Sequence, residues 1–136
     1  MSDISTLRLN LLRALYLLLV VGLGTVIWPG IIHHSLDVPL MNGVVRSLLG
    51  AMGLLAIVGL RYPLQMLPLL IFEMTWKIIW LLAFAVPLYS AGKMDDDTLG
   101  TVYQCLVIVI FPFLMPWDYV WANYIKKPGD RWSNKP

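Results

Sequence analysis

The sequence predicts an all-α integral membrane protein, with four transmembrane helices in an up-down-up-down antiparallel bundle. Of the 136 residues, 59% are hydrophobic and only 13% are charged, whereas soluble domains average about 45–50% apolar and about 25% charged residues. Four apolar segments each have roughly the length that crosses about 30 Å of hydrocarbon. The connections between them are short, which favours antiparallel neighbours.

The four predicted spans cover residues at about 7–28, 43–60, 64–89 and 99–121. They form a single domain, residues 1–125, and a polar tail follows at 126–136. Each span is expected to be helical, because the bilayer core offers backbone N–H and C=O groups no other partners. The first span also has the basic start of a signal peptide. No small-x-small cleavage site follows it, so we expect a retained helix.

Lysine and arginine are distributed unevenly over the connections. Most of them precede the first span, separate the second from the third, or follow the fourth: Arg8, Arg13, Arg61, Lys126, Lys127, Arg131 and Lys135. The other two connections carry only Arg46 at one edge and Lys93 beside three aspartates. The positive-inside rule therefore predicts a multi-pass membrane protein with both termini, the tail and the Arg61 turn in the cytoplasm.

The third span contains two charged residues within the apolar run "LLIFEMTWKIIWLLAF". Glu73 and Lys77 are four residues apart, so they share one helix face about 6 Å apart along the axis. The two charges cost about 5–7 kcal/mol on insertion. The eleven Leu, Ile, Val and Phe residues from Leu69 to Leu88 contribute roughly 3–7 kcal/mol of favourable insertion free energy. The unfavourable and favourable insertion free energies nearly cancel, so this helix alone would be only marginally stable in the membrane. We therefore predict that the charged pair points into the bundle, where other helices can contribute partners.

Neighbouring helices are expected to contribute partners for this intramembrane pair. The candidates are Arg13 and Tyr16 of the first span and Tyr103 of the fourth. One interpretation is a structural pair that fixes helix register. A second is a functional site, because ionisable residues inside membranes are often functional. A third is a lipid-facing pair whose charged ends reach towards the membrane surface.

The second span carries a band of small residues three or four positions apart: Gly43, Ser47, Gly50, Gly53, Ala56 and Gly59. Small residues let helix backbones approach closely in lipid. Steps of three residues rotate around the helix, so we expect the band to seat two neighbouring helices. Prolines within or near the third and fourth spans are expected to bend those helices and to open space between them.

The first outer loop, "PGIIHHSLDVP", holds the weak candidates for metal ligation, His33, His34 and Asp37. A complete site needs three or four ligands, and adjacent histidines usually diverge, so we predict no metal. The sequence has no phosphate-binding glycine loop, HExxH, GxSxG or CxxC motif, so we predict no catalytic residue and no cofactor and lean against an enzyme. A net charge of +2 does not favour nucleic acid.

Two stretches, "RYPLQMLPLLIFEMTWKIIWLL" and "PWDYVWANYIKKPGDRW", resemble an uncharacterised family of small four-helix membrane proteins of bacteria. The resemblance implies a bacterial inner membrane and carries over no functional residue.

Together these patterns predict a small inner-membrane protein of structural or accessory type, with the Glu73–Lys77 pair organising the bundle. Its expected surroundings are the lipid bilayer, with a membrane-protein partner or a second copy as candidate companions. The alternative is a small transporter, or a proton or ion relay, that uses the pair with Tyr16 or Tyr103. A membrane enzyme or a quinone-binding protein that uses the tryptophans beside the pair is the third hypothesis.

Overall fold

A computed structural model describes residues 5–133, and within this range every regular element is helical. Four helices are long and apolar enough to cross a membrane: α1 (Thr6–Ile32), α2 (Leu40–Arg61), α3 (Leu67–Ser90) and α4 (Asp96–Leu114). A shorter helical segment, α5, comprises Trp117–Val120 and a wider π-helical turn at Trp121–Lys126. The all-α class and the four apolar helices are therefore confirmed. The last residues of the predicted tail, 134–136, lie outside the described range.

Side-chain caps mark the starts of α1 and α4. The Ser5 hydroxyl accepts a hydrogen bond of 3.1 Å from the backbone N–H of Arg8. The Asp95 carboxylate accepts one of 2.7 Å from the backbone N–H of Thr98. Each cap satisfies one of the free N–H groups of a first helical turn, which stabilises the helix start.

Proline explains where α1 and α3 depart from regular α-helix. In α1, the α-helix Thr6–Val26 ends before Pro29, and a separate turn, Trp28–Ile32, follows. In α3, a π-helical turn at Leu81–Ala85 precedes Pro87. Proline has no N–H to donate, and its ring clashes with the carbonyl four residues earlier, so the backbone widens or bends there.

The fourth helix ends at Leu114, earlier than the predicted boundary near residue 121. A 3₁₀ turn at Val107–Ile110 precedes Pro112, and Met115 is extended, with ψ of 134°. Met115 precedes Pro116, and steric contact with the proline ring disfavours the helical region for the residue before it. The sequence pattern from 99 to 121 is therefore divided between α4 and the short α5.

The small residues of α2 form the contact with α1. A Cβ atom at Gly59 would overlap the ring of Tyr16, and one at Gly50 would lie 2.7 Å from Cδ1 of Ile31. At Gly53 the nearest atom would be Cβ of Leu23, at 3.2 Å. We expected two neighbours for this band, but the close contacts at Gly50, Gly53 and Gly59 are all to α1, including its terminal turn. Glycine permits this close approach because any side chain would hold the helices apart.

One end of the bundle is closely packed, and we call it the packed end. It is defined by ten buried side chains from α1 to α4 and the residue that follows α4: Leu12, Leu15, Tyr16, Leu19, Ala56, Leu67, Leu70, Met74, Phe111 and Met115. Arg13 Nε donates to the carbonyl oxygen of Leu60 at 2.9 Å, and the Tyr16 hydroxyl donates to that of Pro63 at 2.8 Å. The start of α1 thereby binds the connection between α2 and α3.

Candidate functional site

A cavity of about 690 Å³ lies between α1, α2, α3 and α4, and we call it the interhelical cavity. Its α1 and α2 wall is apolar and includes Leu18, Leu23, Val26, Leu48 and Leu49. Its α3 and α4 wall is mixed and contributes the polar groups Glu73, Lys77, Thr101 and Gln104. The volume falls within the range of about 300–1,000 Å³ that is usual for small-molecule sites.

Glu73 and Lys77 form an ion pair on the α3 wall of this cavity, through Lys77 Nζ and Glu73 Oε1. The Glu73 side chain is only 1% exposed, and it is the buried charged residue of the described part of the chain. Its second oxygen, Oε2, accepts a hydrogen bond of 3.2 Å from Trp76 Nε1. Both carboxylate oxygens therefore have partners within α3, and the described residues enclose this carboxylate.

The spacing along α3 positions these three side chains together. Lys77 follows Glu73 by four residues and Trp76 follows it by three, so all three lie on neighbouring positions of one helix face. The Lys77 ammonium also lies 5.6 Å from the centre of the Trp76 ring. A cation over an indole face is attracted by the ring quadrupole, which adds to the ion pair.

Lys77 retains hydrogen-bonding capacity after these contacts. Its ammonium has three N–H donors, and its only hydrogen-bonding or ionic partner within residues 5–133 is Glu73. The side chain is 15% exposed, and it lines the cavity. Gln104 on α4 also lines the cavity, is exposed, and has no hydrogen-bond partner among the described residues. Donors on two helices are thus available to the interior of the cavity.

The three candidate partners predicted for the pair lie elsewhere. Arg13 binds the Leu60 carbonyl and also donates to Oδ1 of Asn10 at 3.0 Å. Tyr16 is buried with its hydroxyl on the Pro63 carbonyl. Tyr103 is 63% exposed and is not part of the cavity wall. Long-range partners could not be chosen from sequence because their position depends on how the helices are rotated against each other.

Sequence reasoning missed the polar residues that α4 presents to the cavity. Thr101, Gln104 and Cys105 line it, and they follow the three- and four-residue spacing of one helix face. Polar residues at this spacing within an apolar span are the sequence signal that could have identified them. The sequence places tryptophans beside the pair, but it does not predict the hydrogen bond from Trp76 to Glu73.

The histidine loop is separate from this cavity. His33, His34 and Asp37 are all exposed, and Nδ1 of His34 lies 2.7 Å from the carbonyl oxygen of Ile31. No group of three or more His, Cys, Asp or Glu side chains is close enough to hold a metal ion in residues 5–133. Arg46 anchors the adjacent turn of α1 by donating to the Gly30 carbonyl at 3.1 Å.

Comparison with protein family models, with curated protein sequences and with solved structures found no match. The role of the site is therefore inferred from the residues of this chain.

Proposed function

We propose that this protein is a small multi-pass protein of a bacterial inner membrane, of structural or accessory type, whose Glu73–Lys77 pair organises the bundle. One observation carries the proposal. Glu73 is almost completely enclosed, and both of its oxygens are bound by residues of its own helix, at a site bordered by all four long helices.

The physical basis is the cost of charge in hydrocarbon. A lone carboxylate or ammonium in the bilayer is expensive, and pairing within one helix reduces that cost before the other helices assemble. The charged face of α3 then favours one rotation of this helix, because any other rotation turns the pair towards lipid. In this way a charged pair specifies the arrangement of an apolar bundle.

A proton relay is less well supported by the same geometry. A relay needs a second group that exchanges protons with Glu73. The hydroxyl of Tyr16 donates to the Pro63 carbonyl, and Tyr103 does not line the cavity. The two tyrosines considered for that role therefore do not reach the carboxylate.

The proposed up-down-up-down topology places both termini and the α2–α3 connection in the cytoplasm. Contacts between α1 and α2 support antiparallel packing, since Arg13 contacts Leu60 whereas Gly30 contacts Arg46. At the packed end, the Arg8 guanidinium donates to the carbonyl of Met115, just after α4. The basic residues concentrate on this side of the chain, as the positive-inside rule expects for a cytoplasmic face.

Separate and combined substitutions of the pair test its structural role. Lys77→Met leaves the buried Glu73 carboxylate without its ionic partner, and Glu73→Gln leaves the partly exposed Lys77 ammonium without one, so each is expected to lower the free energy of unfolding, by up to about 3–5 kcal/mol. The double change Glu73→Leu with Lys77→Met is expected to cost less than either single change, because no charge remains. Thermal unfolding of purified protein in detergent measures the three effects.

Lys93→Met is the matched control, because Lys93 is exposed outside the helices. Its stability should change by less than about 0.5 kcal/mol. Wild-type stability in Glu73→Gln would contradict the structural role of the pair.

Cysteine labelling tests the orientation. In a chain with Cys105→Ala, Ser90→Cys at the end of α3 should react with a membrane-impermeant maleimide in intact cells. Gly129→Cys in the tail should react only after the membrane is permeabilised. The reverse pattern would place the termini on the outer side.

A further inference from the structure

The interhelical cavity combines unsatisfied donors on one wall with a continuous apolar surface on the other. We propose that it binds a neutral amphiphile with a flat, carbonyl-bearing head of the quinone type. The head accepts hydrogen bonds from Lys77 and Gln104, and an apolar tail lies along α1 and α2. This inference rests on the proposed function in one respect, namely that α3 and α4 lie within the membrane.

The first step is the hydrogen-bond requirement. Two N–H donors of the partly exposed Lys77 and the carboxamide of the exposed Gln104 have no partner among the described residues, and both side chains line the cavity. At membrane depth, no lipid tail can accept these hydrogen bonds, and an unpaired polar group costs about 1–3 kcal/mol or more. An occupant with acceptor oxygens removes that cost. The donors belong to α3 and α4, which suits a head with acceptors on two of its edges.

The second step is charge. Glu73 and Lys77 carry opposite charges and form a neutral pair. Among residues 5–133, no other Lys or Arg and no His lines the cavity. An anionic head would therefore leave one uncompensated negative charge in a low-dielectric site, which is strongly unfavourable. A cationic head would find the Glu73 carboxylate already bound on both oxygens. Carbonyl oxygens accept hydrogen bonds without adding charge.

The third step is shape. Four aromatic side chains line the cavity: Phe72, Trp76, Trp80 and Phe111. Aromatic rings favour offset-stacked or edge-to-face contact with another flat ring. The opposite wall of α1 and α2 consists of aliphatic residues and glycine, which suits an isoprenoid or alkyl tail. A flat ring with two carbonyls and an apolar tail matches all three properties of the cavity.

Titration of the purified full-length chain in detergent micelles with a short-tailed benzoquinone tests the proposal. Equilibrium dialysis measures the bound quinone, and quenching of tryptophan fluorescence serves as a second signal. We expect saturable binding with one quinone per chain. Gln104→Leu should weaken the binding about tenfold or more, because one hydrogen bond to the head is lost. Lys77→Met should weaken it at least as much.

Gln65→Leu is the matched control, because Gln65 is exposed and lies outside the cavity wall. Its Kd should equal that of the wild type. Gln104→Leu is the decisive variant, because Gln104 makes no hydrogen bond to any described residue and its replacement breaks none. Thermal unfolding checks that this variant is folded. Equal affinity in wild type and Gln104→Leu, or uptake that never saturates, would overturn the proposal.

A fatty-acid anion with a tail of similar length tests the charge argument. We expect it to bind more weakly than the quinone and to compete poorly with it. Tighter binding of the anion than of the quinone would contradict the proposal that the head group of the ligand is neutral. These outcomes are separate from those of the proposed function, since the stability of Glu73→Gln and the labelling of Ser90→Cys involve no quinone. If both of those hold and the titration does not saturate, only the ligand assignment fails.

Discussion

The packed end and the interhelical cavity are built from the same four helices by opposite means. At the packed end, ten buried side chains fill the space, and backbone carbonyls at the α2–α3 connection and after α4 accept hydrogen bonds from α1. Around the cavity, the interior is left open, and the strongest described interaction joins two residues of a single helix.

This difference teaches where each kind of contact is useful in an apolar bundle. Close packing between helices contributes dispersion attraction, and it replaces the hydrophobic force that is absent in lipid. A local ion pair contributes little direct attraction between helices, but in the role proposed above it restricts how α3 can be rotated. The packed end therefore holds the helices together, while the cavity end can keep a space between them. Clefts between the helices of a bundle are a common location for small-molecule sites.

Matched leucine truncations provide the largest test of this comparison. Leu15 is 2% exposed at the packed end, whereas Leu48 is 58% exposed on the cavity wall. Leu15→Ala should lower the free energy of unfolding by about 2–5 kcal/mol, because it leaves a void in a filled core. Leu48→Ala should cost less than about 1 kcal/mol. Thermal unfolding in detergent compares the two variants. Equal losses of unfolding free energy would mean that the packed end and the cavity wall do not differ in packing.

Adding one methyl group to α2 gives the next largest effect. Gly59→Ala places a Cβ atom against the Tyr16 ring, which is buried and held by its hydrogen bond to Pro63. Overpacking of this kind should cost about 1–3 kcal/mol. Gly22→Ala is the control, since no atom lies within 4 Å of its added Cβ, and better helix propensity should leave stability unchanged or raised by up to about 1 kcal/mol. A similar response at both glycines would argue against the close α1–α2 contact.

The smallest effect is expected at the start of α4, in the loop at the cavity end. The hydrogen bonds from Thr98 lower the pKa of the Asp95 carboxyl. A lowered pKa in the folded state means that the cap stabilises fully above the unfolded pKa of about 3.9, and that this contribution is lost as the pH falls through the lower folded value. Asp95→Ala should reduce the melting temperature slightly at neutral pH. Asp95→Asn keeps a good cap and should remove only this acid dependence.

Melting temperatures between neutral pH and pH 3 measure the contribution of Asp95. An unchanged acid dependence in Asp95→Asn would mean that the side chain does not cap α4.

Local chemistry made much of this protein predictable. Composition and segment length indicated four apolar helices, which are present. The spacing of Glu73 and Lys77 predicted a pair on one face, because four residues along an α-helix nearly complete a turn. The early end of α4 also has a local cause, in the residue before Pro116, although the apolar pattern alone suggested a longer helix.

The sequence by itself determined the helices, their apolar character and the contact between two charges on one turn. Only the tertiary structure decided that α2 seats α1 on its glycines, that Arg13 and Tyr16 bind backbone carbonyls, and that Gln104 shares a cavity with Lys77. The reason is geometric: helical spacing relates residues a few positions apart, whereas contacts between helices depend on their rotation, tilt and separation. Those quantities result from the packing of all four segments together.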